Sequence, residues 1–415
     1  LECHDIMCKV AEVVVVGGVR RSAMISLSDL EDDKMRHAKT GQWWTDNPQR
    51  ALANNSAVYA TKPDVGQYMN EWTSLYHSHS GERGIFNREA AINQAKKNGR
   101  RDTEQEFGTN PCSEIILRPY QFCNLSEVVV REGDSIYDLE RKVKLATILG
   151  TYQSTLTHFP YLRKIWQKNT EAERLLGVSL TGILDNKLLG DPVEQTKTLL
   201  ERLKDVSVDA NLQLSTALDI PASTAITCVK PSGTVSQLVD SASGIHPRHS
   251  KYYIRRVRGD KKDPLTTFMV QQGIPGEDCV MRPESTTVFS FPKKAPHNAL
   301  LRENLTAVQH LDLWMMYQQH WCEHKPSVTI SVTEDEWVEV GAWVWKNFDD
   351  ISGVSFLPYD GGTYKQAPYE ECSEEEYLEL LHKMPDTIDW DSLVEEDDNV
   401  EGAQQLACTA GVCEI

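Results

Sequence analysis

The side chains best suited to chemistry lie in the string Asn110-Pro111-Cys112-Ser113-Glu114. Pro111 fixes its own backbone torsion and disfavours a helical conformation at Asn110, so the string predicts a sharp turn in a loop. Such a turn would direct the thiol of Cys112 and the carboxylate of Glu114 into a shared space. A thiol, a carboxylate and an amide could supply a hydrogen-atom abstractor, a general base and a substrate hydrogen bond. A buried loop cysteine beside a solvated glutamate is the alternative interpretation.

Two further loops have the composition of anion-binding sites. The run Lys-Pro-Ser-Gly-Thr-Val-Ser at 230–236 follows an apolar stretch, and its N–H groups, hydroxyls and the helix start after it suit a phosphate. It lacks the ending of a Walker A loop, and an ordinary helix cap after a strand is its alternative. The run Gly-Gly-Val-Arg-Arg-Ser-Ala at 17–23 combines backbone freedom with two permanent cations. A solvated surface turn is the alternative there.

The last residues of the chain have a different character. From Pro385 onward acidic residues dominate, and the chain ends in Cys408-Thr-Ala-Gly-Val-Cys413-Glu-Ile. Repulsion between like charges favours an extended segment, so residues 385–415 are predicted to be a flexible acidic tail that carries two cysteines. Residues 1–384 then form the remaining domain.

The composition excludes several classes of protein. A net charge of −18 argues against a protein that binds nucleic acid through a basic face, and no apolar run is long enough to cross a bilayer. The ten cysteines are irregularly spaced in a chain of 415 residues, which argues against a secreted disulfide scaffold. No paired CxxC units or HExxH motif indicates a metal site. We therefore predict a cytoplasmic protein that binds neither nucleic acid nor a membrane.

The segments that must position these loops alternate between two patterns. Helical periodicity covers 139–153 and 193–218, whereas strand-like runs occur at 51–59, 115–117, 225–229, 287–291 and 327–332. Strands separated by helices predict an α/β fold with parallel strands.

Taken together and in this order, the motifs resemble the ribonucleotide reductases, and among them the monomeric, adenosylcobalamin-dependent class II branch. The Asn-Pro-Cys-x-Glu string, a cysteine eleven residues after Cys112, the two loops and the terminal CxxxxC all take part in the resemblance. Three further stretches also match: Arg-Ala-Leu-Ala-Asn-Asn-Ser at 50–56, Ser-Gly-Ile-His-Pro-Arg at 243–248 and Phe-Leu-Pro-Tyr at 356–359. The resemblance implies a ten-stranded α/β barrel with a central finger loop, which this chain would hold only in part.

The resemblance also implies a role for each motif. Cys112 would become a thiyl radical that removes the ribose 3′-hydrogen, Glu114 would accept the 3′-hydroxyl proton, and Asn110 would hold the substrate. Cys123 would be one of two thiols that reduce the 2′-carbon. The tail cysteines, which thioredoxin would reduce, would restore that pair by thiol exchange. The residues implied to cradle the substrate phosphates are Ser232, Gly233, Thr234, Val235 and Ser236. The loop implied to carry the signal of a nucleotide effector comprises Gly17, Gly18, Val19, Arg20 and Arg21.

One departure concerns the partner of Cys123. The family needs a second cysteine on the first barrel strand, yet only Cys3 and Cys8 precede the arginine loop, and both are too close to it. The first strands and the partner of Cys123 are therefore expected to be missing: either the chain is a fragment, or a separate N-terminal portion completes the barrel.

The same resemblance implies adenosylcobalamin as the radical source. Class I relatives use two adjacent tyrosines near the last barrel strand, whereas this region has Tyr364 alone, and the pair Tyr252-Tyr253 lies in another segment. Two alternatives remain: a class I-like large subunit with a separate metal-containing radical subunit, and an inactive nucleotide-binding fragment.

Overall fold

The protein is represented by a computed structural model that describes residues 1–12, 23–359 and 365–394, together with the backbone of 408–409 and 412–413. The strands are β1 Met24–Ser28, β2 Ala53–Tyr59, β3 Gly84–Asn87, β4 Gly108–Thr109, β5 Ile116–Leu117, β6 Asn124–Val129, β7 Leu176–Thr181, β8 Thr227–Cys228, β9 Tyr252–Asp260, β10 Gly276–Asp278, β11 Thr286–Lys294, β12 Thr329–Val332, β13 Gly353–Pro358, β14 Tyr369–Glu371, β15 Cys408–Thr409 and β16 Val412–Cys413. The α-helices are α1 Glu2–Glu12, α2 Asp33–Arg36, α3 Trp43–Asp46, α4 Val65–Ser78, α5 Arg88–Lys96, α6 Ile136–Gln153, α7 Lys164–Glu173, α8 Lys187–Gly190, α9 Glu194–Ala217, α10 Val235–Leu238, α11 Pro264–Gln271, α12 Ala307–His320, α13 Trp337–Lys346 and α14 Glu374–Lys383.

The central strands form one continuous arc. One sheet has the order β1-β2-β3-β13-β12, a second has the order β6-β7-β8, and a parallel bridge between Val229 and Pro326 joins β8 to β12. Within each half of the arc the strands are parallel, and the two halves meet at the antiparallel pair β3 and β13. In the part of the chain that the structure describes, β1 and β6 are the free edges of this arc.

Parallel strands are normally buried on both faces of their sheet, and the apolar residues of these strands are consistent with that. Every residue of β7 is buried, and the long helices α6 and α9 pack against each other outside this part of the sheet. Helix α6 begins at a capping box in which Ser135 and Asp138 satisfy each other's backbone N–H groups. The largest fully buried side chains include Trp314, Trp321 and Tyr317, which lie on or just after α12.

The predicted elements match the observed ones, but two expected strands lie outside the parallel arc. The strand expected at 115–117 is β5, which pairs antiparallel with β4. The helices expected at 139–153 and 193–218 are α6 and α9, and the expected alternation of strands and helices is confirmed in the arc. The strand expected at 287–291 instead lies in β11, within a separate antiparallel sheet of order β10-β11-β9-β14. Its period-two pattern specifies a strand but not the sheet that it joins. No helix among the described residues is both long and apolar enough to cross a membrane.

Candidate active site

The turn predicted around Pro111 is the tip of a finger loop carried by the hairpin β4–β5. The Ser113 N–H donates to the carbonyl oxygen of Asn110 at 2.9 Å, and the Ile115 N–H donates to Oδ1 of Asn110 at 2.9 Å. From the arc, Nδ2 of Asn54 donates to the Pro111 carbonyl oxygen at 2.9 Å. The amide of Asn110 therefore closes the turn, in addition to the substrate contact predicted for it.

The turn presents a thiol and a carboxyl group in different environments. Cys112 is half-buried, whereas Glu114 is 1% exposed and its Oε2 has no hydrogen-bond partner among the described residues. Burial raises the pKa of Glu114, opposed by a hydrogen bond from Asn110 and by the charges of Lys230 and Lys325. A raised pKa makes this carboxyl group a stronger base than an exposed glutamate, which suits it to accept a proton from a substrate.

Cys123 lies at the start of β6, next to β7. A Cβ atom on Gly177 of β7 would lie 3.2 Å from the Cys123 sulfur and would overlap Leu125, so only glycine leaves room for both side chains. Burial and the nearby charge of Glu114 both raise the pKa of Cys123, and Arg101 opposes them. The thiol is therefore protonated at neutral pH, and it lies within electrostatic reach of the Glu114 carboxylate.

The loop at 230–236 reaches the same region. Lys230 continues the chain after β8, its N–H donates to Oγ of Ser179 at 2.8 Å, and its charge acts on Glu114. Ser232 adopts a left-handed conformation with φ of 57°, and its buried Oγ has no hydrogen-bond partner among the described residues. An unpaired buried hydroxyl is a free donor for an anion. Ser236 follows at the start of α10, its hydroxyl 2.8 Å from that of Ser243.

The remaining predicted residues belong to the arginine loop and to the tail. The arginine loop at 17–21 lies outside the described residues. Cys408 and Cys413 are Cα partners in the antiparallel pair β15–β16, so their backbones lie opposite each other.

No family model matches the sequence, but individual proteins do. An adenosylcobalamin-dependent ribonucleoside-triphosphate reductase of Euglena gracilis is 28% identical over 99% of this chain and 56% of its own length. The enzyme of the same name from Lactobacillus gasseri is 29% identical over 100% of this chain and 59% of its own length. The chain is thus similar along its whole length to adenosylcobalamin-dependent ribonucleoside-triphosphate reductases, as the resemblance of the motifs predicts. It spans somewhat more than half the length of these two reductases.

Solved structures show the same fold. A crystal structure of a B12-dependent, class II ribonucleotide reductase superimposes with a TM-score of 0.74 and 23% identity, over 93% of this chain and 56% of that one. The class Id ribonucleotide reductase α subunit of Actinobacillus ureae gives a TM-score of 0.57 at 12% identity, over 86% of this chain and 74% of that one. The arc of strands therefore has the ribonucleotide reductase fold, which confirms the predicted fold class.

The sequence motifs do not include every side chain that lies at this site. Lys325, which precedes β12, is fully buried beneath the finger loop and contacts Ser113. A buried network below Cys123 joins Arg101, Gln121 and Glu173, with an Arg101–Glu173 separation of 2.9 Å. The run Glu-His-Lys-Pro at 323–326 could have indicated Lys325 as a residue with a buried partner, because charged residues directly before a strand of the core need partners. No group of His, Cys, Asp and Glu that could hold a metal ion occurs among the residues that the structure describes.

Proposed function

We propose that this chain carries the catalytic loop of an enzyme that reduces ribonucleotides to 2′-deoxyribonucleotides. The observation that carries the proposal is the finger-loop turn, which holds the accessible thiol of Cys112 and the buried carboxyl of Glu114 beside the phosphate-type loop that begins at Lys230. The names of the relatives, which match along the whole chain, support the same reaction.

In the proposed reaction the Cys112 sulfur radical removes the ribose 3′-hydrogen, leaving a carbon radical and a thiol. Glu114 accepts the 3′-hydroxyl proton, and the 2′-hydroxyl leaves as water with one added proton. Cys123 and a second thiol supply two electrons and two protons, so the 2′-carbon is reduced as a disulfide forms. One of the two thiol protons leaves in the water and the other stays on the 2′-carbon. Glu114 returns its proton to the 3′-oxygen as Cys112 returns a hydrogen atom to the 3′-carbon and is again a radical. The hydroxyls and N–H groups of 232–236 would bind the substrate phosphates.

The cofactor that we propose is adenosylcobalamin, which supplies an organic radical when bound. Two features of the residues around the finger loop fit this cofactor. Cys112 is half-buried and so can be reached from outside the loop, and an open cleft of about 410 Å³ lies at the base of the finger loop. Phe107, Tyr120 and Trp166 line this cleft together with Arg118, whose buried Nε has no hydrogen-bond partner among the described residues. The cleft is of a size for a nucleoside-sized part of the cofactor.

We also propose that a further polypeptide portion closes the arc between β1 and β6 and supplies the thiol that partners Cys123. Strand β6 is a free edge, and an unpaired edge is a template for another strand. Helix α6, which packs on β6, exposes an apolar stripe of Leu145, Leu149 and Tyr152, each more than half exposed. Such a contiguous apolar face indicates a surface that another part of the protein covers.

The remaining roles concern regulation and electron supply. The loop at 17–21 is proposed to respond to a nucleotide effector, and the tail cysteines to pass electrons from thioredoxin to the pair that contains Cys123. Replacing both Cys408 and Cys413 by serine should preserve a single turnover and abolish repeated turnover with thioredoxin. Full-speed cycling of this variant would refute the shuttle. We also propose a cytoplasmic location, which rests on the irregular spacing of the cysteines in the sequence.

The test of the main proposal uses the enzyme completed with its N-terminal portion, adenosylcobalamin and a ribonucleotide. Cys112→Ser should abolish deoxyribonucleotide formation while nucleotide binding persists, because a serine O–H bond is too strong to give an equivalent radical. Glu114→Gln should lower turnover by about 10²- to 10⁴-fold, the range of general acid–base catalysis. Retained turnover in the Cys112 variant would overturn the assignment.

A further inference from the structure

A buried amine lies beneath the finger-loop turn. The Lys325 side chain is fully buried, and its Nζ donates to Oγ of Ser113 at 2.5 Å. The backbone N–H of Lys325 donates to the carbonyl oxygen of Glu114 at 3.1 Å. One residue therefore binds both positions that follow Cys112 in the turn.

The space for this contact depends on a glycine in β13. A Cβ atom on Gly353 would lie 2.8 Å from Nζ of Lys325 and 2.8 Å from Oγ of Ser113, which is closer than real Cβ contacts. Gly353 pairs with Phe86 of β3, and the Phe86 ring centroid lies 5.0 Å from the same Nζ. The ammonium group is thus enclosed by an aromatic ring, a glycine and the loop.

The turn needs such support because Ser113 has a φ of 64°. This left-handed conformation is costly for a residue with a Cβ atom, and it persists only where surrounding contacts hold it. The Ser113 N–H bond to Asn110 closes the turn from within, whereas the Lys325 bond fixes it to the segment that leads into β12 of the arc. The direction of the Cys112 thiol depends on both.

The charge of Lys325 acts on the same carboxyl group. Lys230 and Lys325 are the cations that favour the ionised form of Glu114, and the thiols of Cys123 and Cys228 are titratable groups that feel the Glu114 charge. Burial lowers the pKa of Lys325 to about 7, and Glu114 opposes that shift. Each group therefore stabilises the charged form of the other.

We propose that Lys325 is a positioning residue that holds the turn between Cys112 and Glu114 and stabilises the carboxylate of Glu114. Its effect on turnover rests on the function proposed above, whereas its effects on the loop and on the carboxyl group do not. Both can be measured on the 415-residue chain without nucleotide or cofactor.

The first experiment titrates Glu114 by carbon-detected NMR of protein labelled with [δ-¹³C]glutamate, with Glu114→Gln to assign the signal. In Lys325→Met, which keeps an unbranched apolar chain and removes the charge, the pKa of Glu114 should rise above its wild-type value. Ser113→Ala removes the hydrogen bond but keeps the charge, so its Glu114 titration should stay near wild type. An unchanged Glu114 titration in the folded Lys325 variant would overturn the electrostatic role.

The second experiment separates the loop contact from the charge. Gly353→Ala should force Lys325 and Ser113 apart without removing either group, and Gly133→Ala is the matched control because nothing lies within 4 Å of its added Cβ. The readout is the rate of Cys112 alkylation by iodoacetamide, resolved by peptide mass spectrometry. Loss of one hydrogen bond should increase this rate by about three- to tenfold in the Gly353 variant. Equal rates in both alanine variants would overturn the loop-holding role. Because neither readout uses turnover, this result is independent of the Cys112→Ser test.

Discussion

A buried ion pair between Arg248 and Asp185 fixes the segment that follows the phosphate-type loop. Its removal should lower the free energy of unfolding by several kcal/mol. Nε of Arg248 donates to Oδ1 of Asp185 at 2.9 Å, and Nη2 donates to Oδ2 at 2.8 Å. Both side chains are 3% exposed. Asp185 also accepts the Ala242 N–H at 2.8 Å, and Arg248 donates to the Asp240 carbonyl oxygen at 3.1 Å. The pair therefore holds residues 240–242.

Replacing Arg248 by methionine removes both donors and leaves the Asp185 carboxylate buried with the Ala242 N–H. Breaking a buried pair by removing one partner typically costs about 3–5 kcal/mol, because the remaining charge is uncompensated. We expect a loss in that range in the free energy of unfolding. In the double variant Arg248→Met/Asp185→Asn, the neutral amide can still accept the Ala242 N–H, so at least half of the loss should be recovered.

The assay is urea unfolding followed by circular dichroism, with Lys383→Met as a surface control. Lys383 pairs with Glu379 on α14, and both side chains are more than half exposed. Exposed pairs of this kind contribute about 0.5 kcal/mol or less. A loss below about 1 kcal/mol for Arg248→Met, or a double variant no more stable than the single one, would refute the reasoning, since the buried charge would then carry no penalty.

Three further predictions concern Glu114, His310 and Gly341, all of which lie in buried surroundings. Because burial raises the pKa of Glu114 above its usual 4.5, the unfolded chain releases this proton first as the pH rises. Wild-type stability should therefore fall above pH 4.5 relative to that of Glu114→Gln, and parallel stability–pH curves for the two proteins would contradict this. Burial lowers the pKa of His310 from 6.5 to about 3, so wild-type stability should decline as the pH falls between these values, and His310→Gln should flatten that decline in acid-unfolding curves. Gly341→Ala should cost about 1–3 kcal/mol in urea unfolding, because its Cβ would lie 2.7 Å from the Trp72 ring, whereas Gly133→Ala should be close to neutral.

The sequence alone determined the local features of the candidate site. Pro111 favours a turn because its ring fixes a backbone torsion and disfavours a helical conformation at Asn110, and the structure has that turn. Helix α9 spans Glu194–Ala217 within the predicted range 193–218, because helical periodicity is a property of neighbouring residues. The resemblance, which depends on ordered motifs, indicated the same reductases to which the whole chain is similar.

The tertiary structure decided which distant residues meet. Lys325 is 212 residues from Ser113 in the chain. The charged run at 323–326 indicates that its amine needs a partner, but nothing local identifies the finger loop as that partner. The need for glycine at Gly353 is equally invisible in the sequence, because it arises from two side chains that belong to other elements. The strand at 287–291 shows the same limit: its alternation specified a strand, and only packing assigned it to the antiparallel sheet. Local sequence thus fixed the conformations and the reactive groups, whereas long-range packing set their neighbours, their burial and consequently their pKa values.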